Sequence, residues 1–312
     1  MMRAWWQRML VVAGLLTAAP FAVAESNAAS DTALLKHGEY VFRAADCYGC
    51  HTDSKNHGRP LAGGRALESP FGTFYTPNIT PDPQYGIGRW SERDFIRALR
   101  EGLSPSGQQL YPAFPYPAYT HLTDADLHAL WTYLRAQPPV AQANRPHQLR
   151  WFVRARSFIG AWKSLYFKPG VYRDDTSKSA AWNRGAYLVT GAAHCGDCHT
   201  PRDSLGGPKS GMALAGTSDG PENSVIPNIT PDKKTGIGRW SKGDLVTYLK
   251  TGMTPDGDLA GDLMAEVIDN SLQHLSNDDL TAIAEYLRSL PPVDHNVRKP
   301  AKKPAPKKID GE

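Results

Sequence analysis

The sequence predicts an all-α fold built as two tandem copies of one helical module, on three observations. Both halves place apolar residues at helical spacing between explicit start and stop signals, and no stretch sustains the period-two alternation of a strand. Whole phrases of the first half recur in the second: Pro77-Asn78-Ile79-Thr80-Pro81-Asp82 and Gly86-Ile87-Gly88-Arg89-Trp90-Ser91 return 150 positions on, at 227–232 and 236–241. Each copy also opens with one pentapeptide pattern, Cys47-Tyr48-Gly49-Cys50-His51 and Cys195-Gly196-Asp197-Cys198-His199.

Taken in order, the chain begins with Arg3 and Arg8 around the start of an apolar run at 9–19, then Ala22-Val23-Ala24, the small-x-small pattern of a secretory cleavage site. A mature chain from Glu25 in the periplasm is expected. Residues 32–45 suit a helix, with Gly38 and Tyr40 just ahead of the first pentapeptide as Gly185 and Tyr187 are ahead of the second. The Gly- and Pro-rich stretch 58–74 suits a chain wrapping a flat cofactor better than a sheet. The next helix of each copy is written between a capping pair and a glycine stop, Ser91/Asp94 to Gly102 and Ser241/Asp244 to Gly252. The last helix gathers Leu127, Leu130, Trp131 and Leu134, or Leu280, Ile283, Ala284 and Leu287, on one face. Thr123 and Ser276 are its expected N-caps, Pro138-Pro139 and Pro291-Pro292 its terminators.

Between the copies, residues 149–167 carry Trp151, Phe152, Phe158, Trp162 and Tyr166 among Arg150, Arg154, Arg156 and Lys163. They read as a helix packed between the two domains, with a partner-docking or membrane-surface face as the alternative. The expected organisation is a signal peptide over 1–24, a first domain over 25–140, an interdomain helix and linker over 141–180, a second domain over 181–295, and a basic Pro/Lys tail over 296–312 that cannot bury enough apolar surface to fold.

Composition narrows the chemistry. With 35 basic and 31 acidic residues the formal charge is only +4, which gives no reason to expect a nucleic-acid partner. The four cysteines are all consumed by the pentapeptides, leaving none for a disulfide or a free nucleophile. Cys-x-x-Cys-His is the attachment pattern of a c-type haem: both thiols form thioethers with the vinyl groups, and the adjoining imidazole binds the iron. The competing reading, a structural zinc site, expects pairs of Cys-x-x-Cys much closer together than these. Two covalent haems c are therefore predicted, held by Cys47, Cys50, Cys195 and Cys198, with His51 and His199 as proximal ligands.

With Tyr111-Pro112-Ala113-Phe114-Pro115-Tyr116 and His194-Cys195-Gly196-Asp197-Cys198-His199-Thr200-Pro201-Arg202 added to the repeated phrases, the chain resembles the diheme and triheme cytochrome c subunits of bacterial membrane-bound alcohol, gluconate and aldehyde dehydrogenases. The resemblance implies two class I cytochrome c-like domains, with Gly38 and Gly185 allowing the first and last helix of each to cross closely. It implies Met264 as distal ligand of haem 2, with Met212 and Met253 as competitors. Counted from Gly107 and Gly257, the place of Met264 is taken in the first copy by Phe114, and no methionine stands between Met9 and Met212. His121 is the preferred distal candidate for haem 1, and His57, His128 and His147 are further ones. The function expected is a periplasmic electron carrier, taking electrons from a dehydrogenase and passing them singly to a terminal oxidase or another cytochrome, with peripheral membrane association through a partner. The alternative is peroxide or small sulfur-compound chemistry at an open haem 1.

Overall fold

The computed structural model describes residues 20–297, so the expected leader up to position 19 and the tail from 298 lie outside the described residues. The first half holds α1 (Pro20–Ala44), α2 (Cys47–His51), α3 (Glu92–Glu101), α4 (Tyr116–Tyr119) and α5 (Asp124–Arg135). Helices α6 (Trp151–Arg154) and α7 (Arg156–Tyr166) link it to α8 (Ala180–Tyr187), α9 (Gly196–His199), α10 (Lys242–Thr251), α11 (Asp262–Asn270) and α12 (Asn277–Ser289). Helix α1 begins ahead of the expected position 32 and runs through the expected cleavage point after Ala24.

The capping signals do what their chemistry requires. Ser91 and Ser241 each accept the N–H of the aspartate three residues on, at 3.2 and 3.1 Å, and that aspartate accepts the serine N–H in return. Gly102 and Gly252 end these helices in the left-handed region. Thr123 and Ser276 cap α5 and α12.

Helix α1 crosses α5, and α8 crosses α12, at backbone contact. A Cβ on Gly38 would lie 2.1 Å from the Ala129 carbonyl oxygen, and one on Gly185 2.0 Å from that of Ala282. The buried residues of both halves then form one continuous apolar cluster, in which Leu122, Leu127 and Leu130 face the same interior as Leu275, Leu280 and Ile283.

The halves are stitched together reciprocally. The Tyr40 hydroxyl on α1 donates to Asp279 at the start of α12 (2.5 Å) and accepts the Ser276 N–H (3.1 Å). The Tyr187 hydroxyl on α8 donates to Asp126 at the start of α5 and accepts the Thr123 N–H (3.1 Å). Each aspartate also takes a partner from the first helix of its own half: Arg184, bidentate at 2.7 and 2.8 Å, on Asp279, and His37, at 2.6 Å, on Asp126.

Two expectations are corrected. The fold is helix-rich but not all-α: β1 (Ala66–Ser69) and β2 (Gly72–Tyr75) form an antiparallel hairpin, and β3 (Gln148–Leu149) joins β2 antiparallel. Four-residue strands are too short to show a period, and their third partner comes from far along the chain. The stretch 149–167 is not one helix between the domains. It breaks at Ala155 and packs Val153 and Ile159 onto Phe74 and Tyr111 of the first half, forming a separate apolar cluster. Lys163 fixes this placement by donating to the Gly102 carbonyl (3.0 Å), the carbonyl of Glu101 and the Gln109 side chain (2.5 Å) around the C-terminal end of α3. The end of α7 reaches the second half, where the Tyr166 hydroxyl donates to Asp203 (2.8 Å).

Candidate haem centres

The two pentapeptides lie on short helices that start from left-handed residues. Asp46, with φ 46°, caps α2 by accepting the Gly49 N–H at 3.3 Å, and a Cβ on Gly49 would lie 2.5 Å from that carboxylate. His194, with φ 35°, takes the equivalent place before Cys195. Beyond each histidine the chain turns back in the same way. The carbonyls of His51 and His199 accept the N–H of Gly63 (2.8 Å) and Gly216 (2.7 Å), and Thr52 and Thr200 accept the N–H of Leu61 and Leu214, both at 3.1 Å.

The repeated Pro-Asn-Ile-Thr phrase explains itself here. The His51 Nδ1–H donates to the Pro77 carbonyl and the His199 Nδ1–H to the Pro227 carbonyl, both at 2.8 Å, which fixes each ring and leaves Nε2 with a lone pair for iron. Burial pulls both imidazoles below their ordinary pKa, opposed by those carbonyls, and the neutral ring is the ligating form. The asparagines then tie each phrase to the chain beyond its double proline: Asn78 donates to the Val140 carbonyl (2.7 Å) and Asn228 to that of Val293 (2.8 Å). The sequence signal for these roles was the repetition itself.

All four cysteines are free and half-buried. Burial pushes the Cys50 and Cys195 thiols up to about 12 and that of Cys198 to about 11. Cys198 and Asp197 raise the Cys50 thiol a little further, so the two attachment turns lie near one another. A structural zinc site would need several thiolates or imidazoles converging. Among the described residues no group of three or more His, Cys, Asp or Glu is placed to hold a metal ion. What these residues fit is haem c: a protonated thiol pair one helical turn wide, beside a neutral imidazole fixed through Nδ1.

Of the methionines expected as distal candidates, Met264 is half-buried in the common core on α11, and Met253 is 49% exposed. Met212 is half-buried in the loop after the second attachment turn, where its carbonyl accepts the Ala215 N–H. The internal alignment holds in three dimensions: Leu103 bridges Gln109 as Met253 bridges Leu259, and Leu110 and Ala260 donate to Gly102 and Gly252, both at 2.8 Å. Beyond that point the copies part: Phe114, aligned with Met264 of α11, stands in the turn before α4, packed against Tyr119 at 5.7 Å between ring centroids. His121 is held at the seam, its Nδ1 3.0 Å from the Thr190 carbonyl in the π turn (Leu188–Ala192) before the second attachment turn. Its counterpart His274 instead faces the Asp269 carbonyl on the surface. Of the remaining candidates, His57 caps an exposed turn, His128 pairs with Glu92 (2.7 Å), and His147 accepts the Tyr75 N–H (3.1 Å) beside Phe74 and Tyr111. Tyr119, which the sequence did not single out, links the turns: its hydroxyl donates to the Ala45 carbonyl (2.7 Å) and its ring meets His194 edge-on at 5.5 Å.

Residues 35–138 match the family model described as cytochrome c. The chain is 41% identical over 287 residues to the cytochrome c subunit of a quinone alcohol dehydrogenase of Gluconobacter oxydans, covering 89% of this chain and 59% of that protein. It is 44% identical over 261 residues to the fructose dehydrogenase cytochrome subunit of Gluconobacter japonicus, covering 82% of this chain and 52% of that protein. It is 42% identical over 261 residues to a diheme cytochrome c-type protein of Cereibacter sphaeroides, covering 82% of this chain and 86% of that one. The chain thus spans little more than half the length of the first two.

Proposed function

Starting from the fact that this chain belongs to the family of cytochrome c subunits of bacterial dehydrogenases, we propose that it is a periplasmic diheme electron carrier. It accepts electrons from a dehydrogenase and hands them on singly to a terminal oxidase or another cytochrome. Bound haem supplies the one-electron iron couple; the chain supplies attachment, ligands and path. Cys47, Cys50, Cys195 and Cys198 hold the two groups, and His51 and His199 bind the irons through Nε2. The observation that carries this reading is the duplicated histidine clamp, an Nδ1–H on a proline carbonyl at 2.8 Å in both halves.

The two centres are unequal in this reading. Met264 is the sixth ligand of haem 2, and its thioether favours ferrous iron and a higher potential. Haem 1 has Phe114 where a methionine would stand. His121 is its sixth ligand, since Nδ1 is spent on Thr190 in the manner of His51 on Pro77 and Nε2 remains for metal.

A redox titration of the holoprotein, read together with near-infrared magnetic circular dichroism, tests both assignments. Two separate waves and one thioether-to-iron band are expected. Met264→Ala should abolish the band and lower the higher wave while leaving both haems covalently bound. His121→Ala should make haem 1 high-spin and able to bind carbon monoxide in the reduced state. Two indistinguishable His/Met spectra in the unaltered protein would refute the unequal assignment, and one haem per chain would refute the diheme reading.

A further inference from the structure

One side chain joins the two proposed centres. Arg65 lies in the loop behind the first attachment turn, its side chain only 16% exposed. Its Nη1 donates to the Gly49 carbonyl, between Cys47 and Cys50, at 2.6 Å, and its Nη2 donates to Glu266 Oε2 at 2.6 Å. Glu266 stands on α11, two residues past Met264, and α11 packs directly on α2. A second carboxylate, Glu222, is 3.9 Å from the guanidinium and is itself held by Lys55 at 2.8 Å. In the second half Gly216-Thr217-Ser218 follows where the first has Gly63-Gly64-Arg65, so the bridge runs one way only.

We propose that Arg65 and Glu266 are positioning residues that couple the two haem sites. The pair seats α11, and with it Met264, against the attachment turn of haem 1. It also keeps the charge beside that turn balanced. A guanidinium drawn largely out of water is held by its carboxylate, and removing either partner leaves the other as an uncompensated charge in a medium of reduced dielectric. A surplus cation beside an iron couple disfavours the ferric state; a surplus anion favours it. Loss of the bridge from either end frees α11 in the same way, because the geometry that aims a metal ligand is set by the groups behind it. The inference rests on Met264 being the sixth ligand of haem 2.

Three variants of the holoprotein separate charge from tether. Glu266→Gln leaves Arg65 unbalanced and should raise the lower wave, that of haem 1. Arg65→Met leaves Glu266 unbalanced and should lower it. Both should weaken the thioether band and lower the upper wave. Arg65→Lys keeps the charge but cannot span both acceptors, so it should leave the lower wave in place and still weaken the band. Haem content per chain and far-ultraviolet circular dichroism establish that each variant is folded and loaded. Shifts of the lower wave in the same direction in Glu266→Gln and Arg65→Met, or no shift in either, would overturn the charge balance. An undiminished band in all three would overturn the tether. Met264→Ala alone, with the bridge intact, tells the two readings apart: survival of the band there means that Met264 is not the ligand, whatever the bridge does.

Discussion

Replacing Gly185 by alanine should destabilise the protein, against the direction that helix propensity dictates. Alanine is favoured over glycine inside a helix by about 1 kcal/mol. At Gly185, however, the new Cβ would lie 2.0 Å from the Ala282 carbonyl oxygen, 2.5 Å from its carbon and 2.9 Å from the Tyr286 Cβ. The first two are backbone atoms of α12 and cannot rotate away, so α8 and α12 must part by more than an ångström to restore ordinary contact near 3.4 Å. Forced overpacking of this kind costs about 1–3 kcal/mol, and the rigid partner puts this site at the top of that range. With propensity subtracted, a net loss of about 2 kcal/mol is expected. Gly160→Ala in α7 is the control: nothing lies within 4 Å of its Cβ, so the propensity term stands alone and about 0.5–1 kcal/mol should be gained. The assay is guanidinium unfolding of both holoproteins followed by far-ultraviolet circular dichroism. A Gly185→Ala protein as stable as the parent, with Gly160→Ala more stable, would refute the argument that α8 and α12 touch at their backbones.

The other expected outcomes concern the seam and one carboxyl. Tyr40→Phe and Tyr187→Phe each remove a hydroxyl that serves both an aspartate and the first turn of the opposite half's last helix, and should each cost about 1–3 kcal/mol in the same assay. Burial pushes the Asp46 carboxyl from its ordinary 3.8 to about 7, against the opposing pull of the Gly49 N–H and Arg65, with Glu266 adding to the rise. Because the folded value is raised, the stability it contributes is complete below the ordinary carboxyl range and is lost as pH rises through about 7. Asp46→Asn should therefore change little in acid and stabilise the protein in mild alkali, by at most about 4 kcal/mol for a shift of roughly three units. Ionisation of Asp46 beside the attachment turn also favours ferric iron. The lower midpoint potential should fall as pH crosses neutrality, and Asp46→Asn should flatten that slope; a slope unchanged in the variant would rule Asp46 out as its source.

What could be read from the sequence was whatever is decided locally or written twice. The Ser91/Asp94 and Ser241/Asp244 boxes, the glycine stops and the attachment turns depend on residues within five positions of one another, and their chemistry is the same in any fold. Gly38 and Gly185 were legible as crossing points only through the family resemblance, since a glycine ahead of a motif does not by itself say what passes over it. The Pro77 and Pro227 carbonyls were not legible as histidine clamps, because a backbone oxygen leaves no mark in the sequence; only its recurrence did. The hairpin was hidden by strand length. The linker was misplaced because its aromatic face suited two cores equally, and the choice was made by Lys163 finding the carbonyl end of α3. The seam is the least local feature of all, since Tyr40 and Asp279 are 239 positions apart.

That seam has the form imposed by a two-fold axis. The tyrosine of one copy meets the aspartate of the other, and the same pair is repeated in reverse, which is the signature of an isologous contact between identical subunits. The chain is in this sense a homodimer joined end to end by its linker, with the two copies free to diverge where the axis does not bind them. The symmetric atoms, tyrosine and aspartate, are those that join the copies. The asymmetric ones, Phe114 against Met264 and Arg65 against Ser218, lie away from those contacts, while His37 against Arg184 changes only the second partner of each seam aspartate. Within one chain the two copies can differ from each other while the contact that holds them together stays the same.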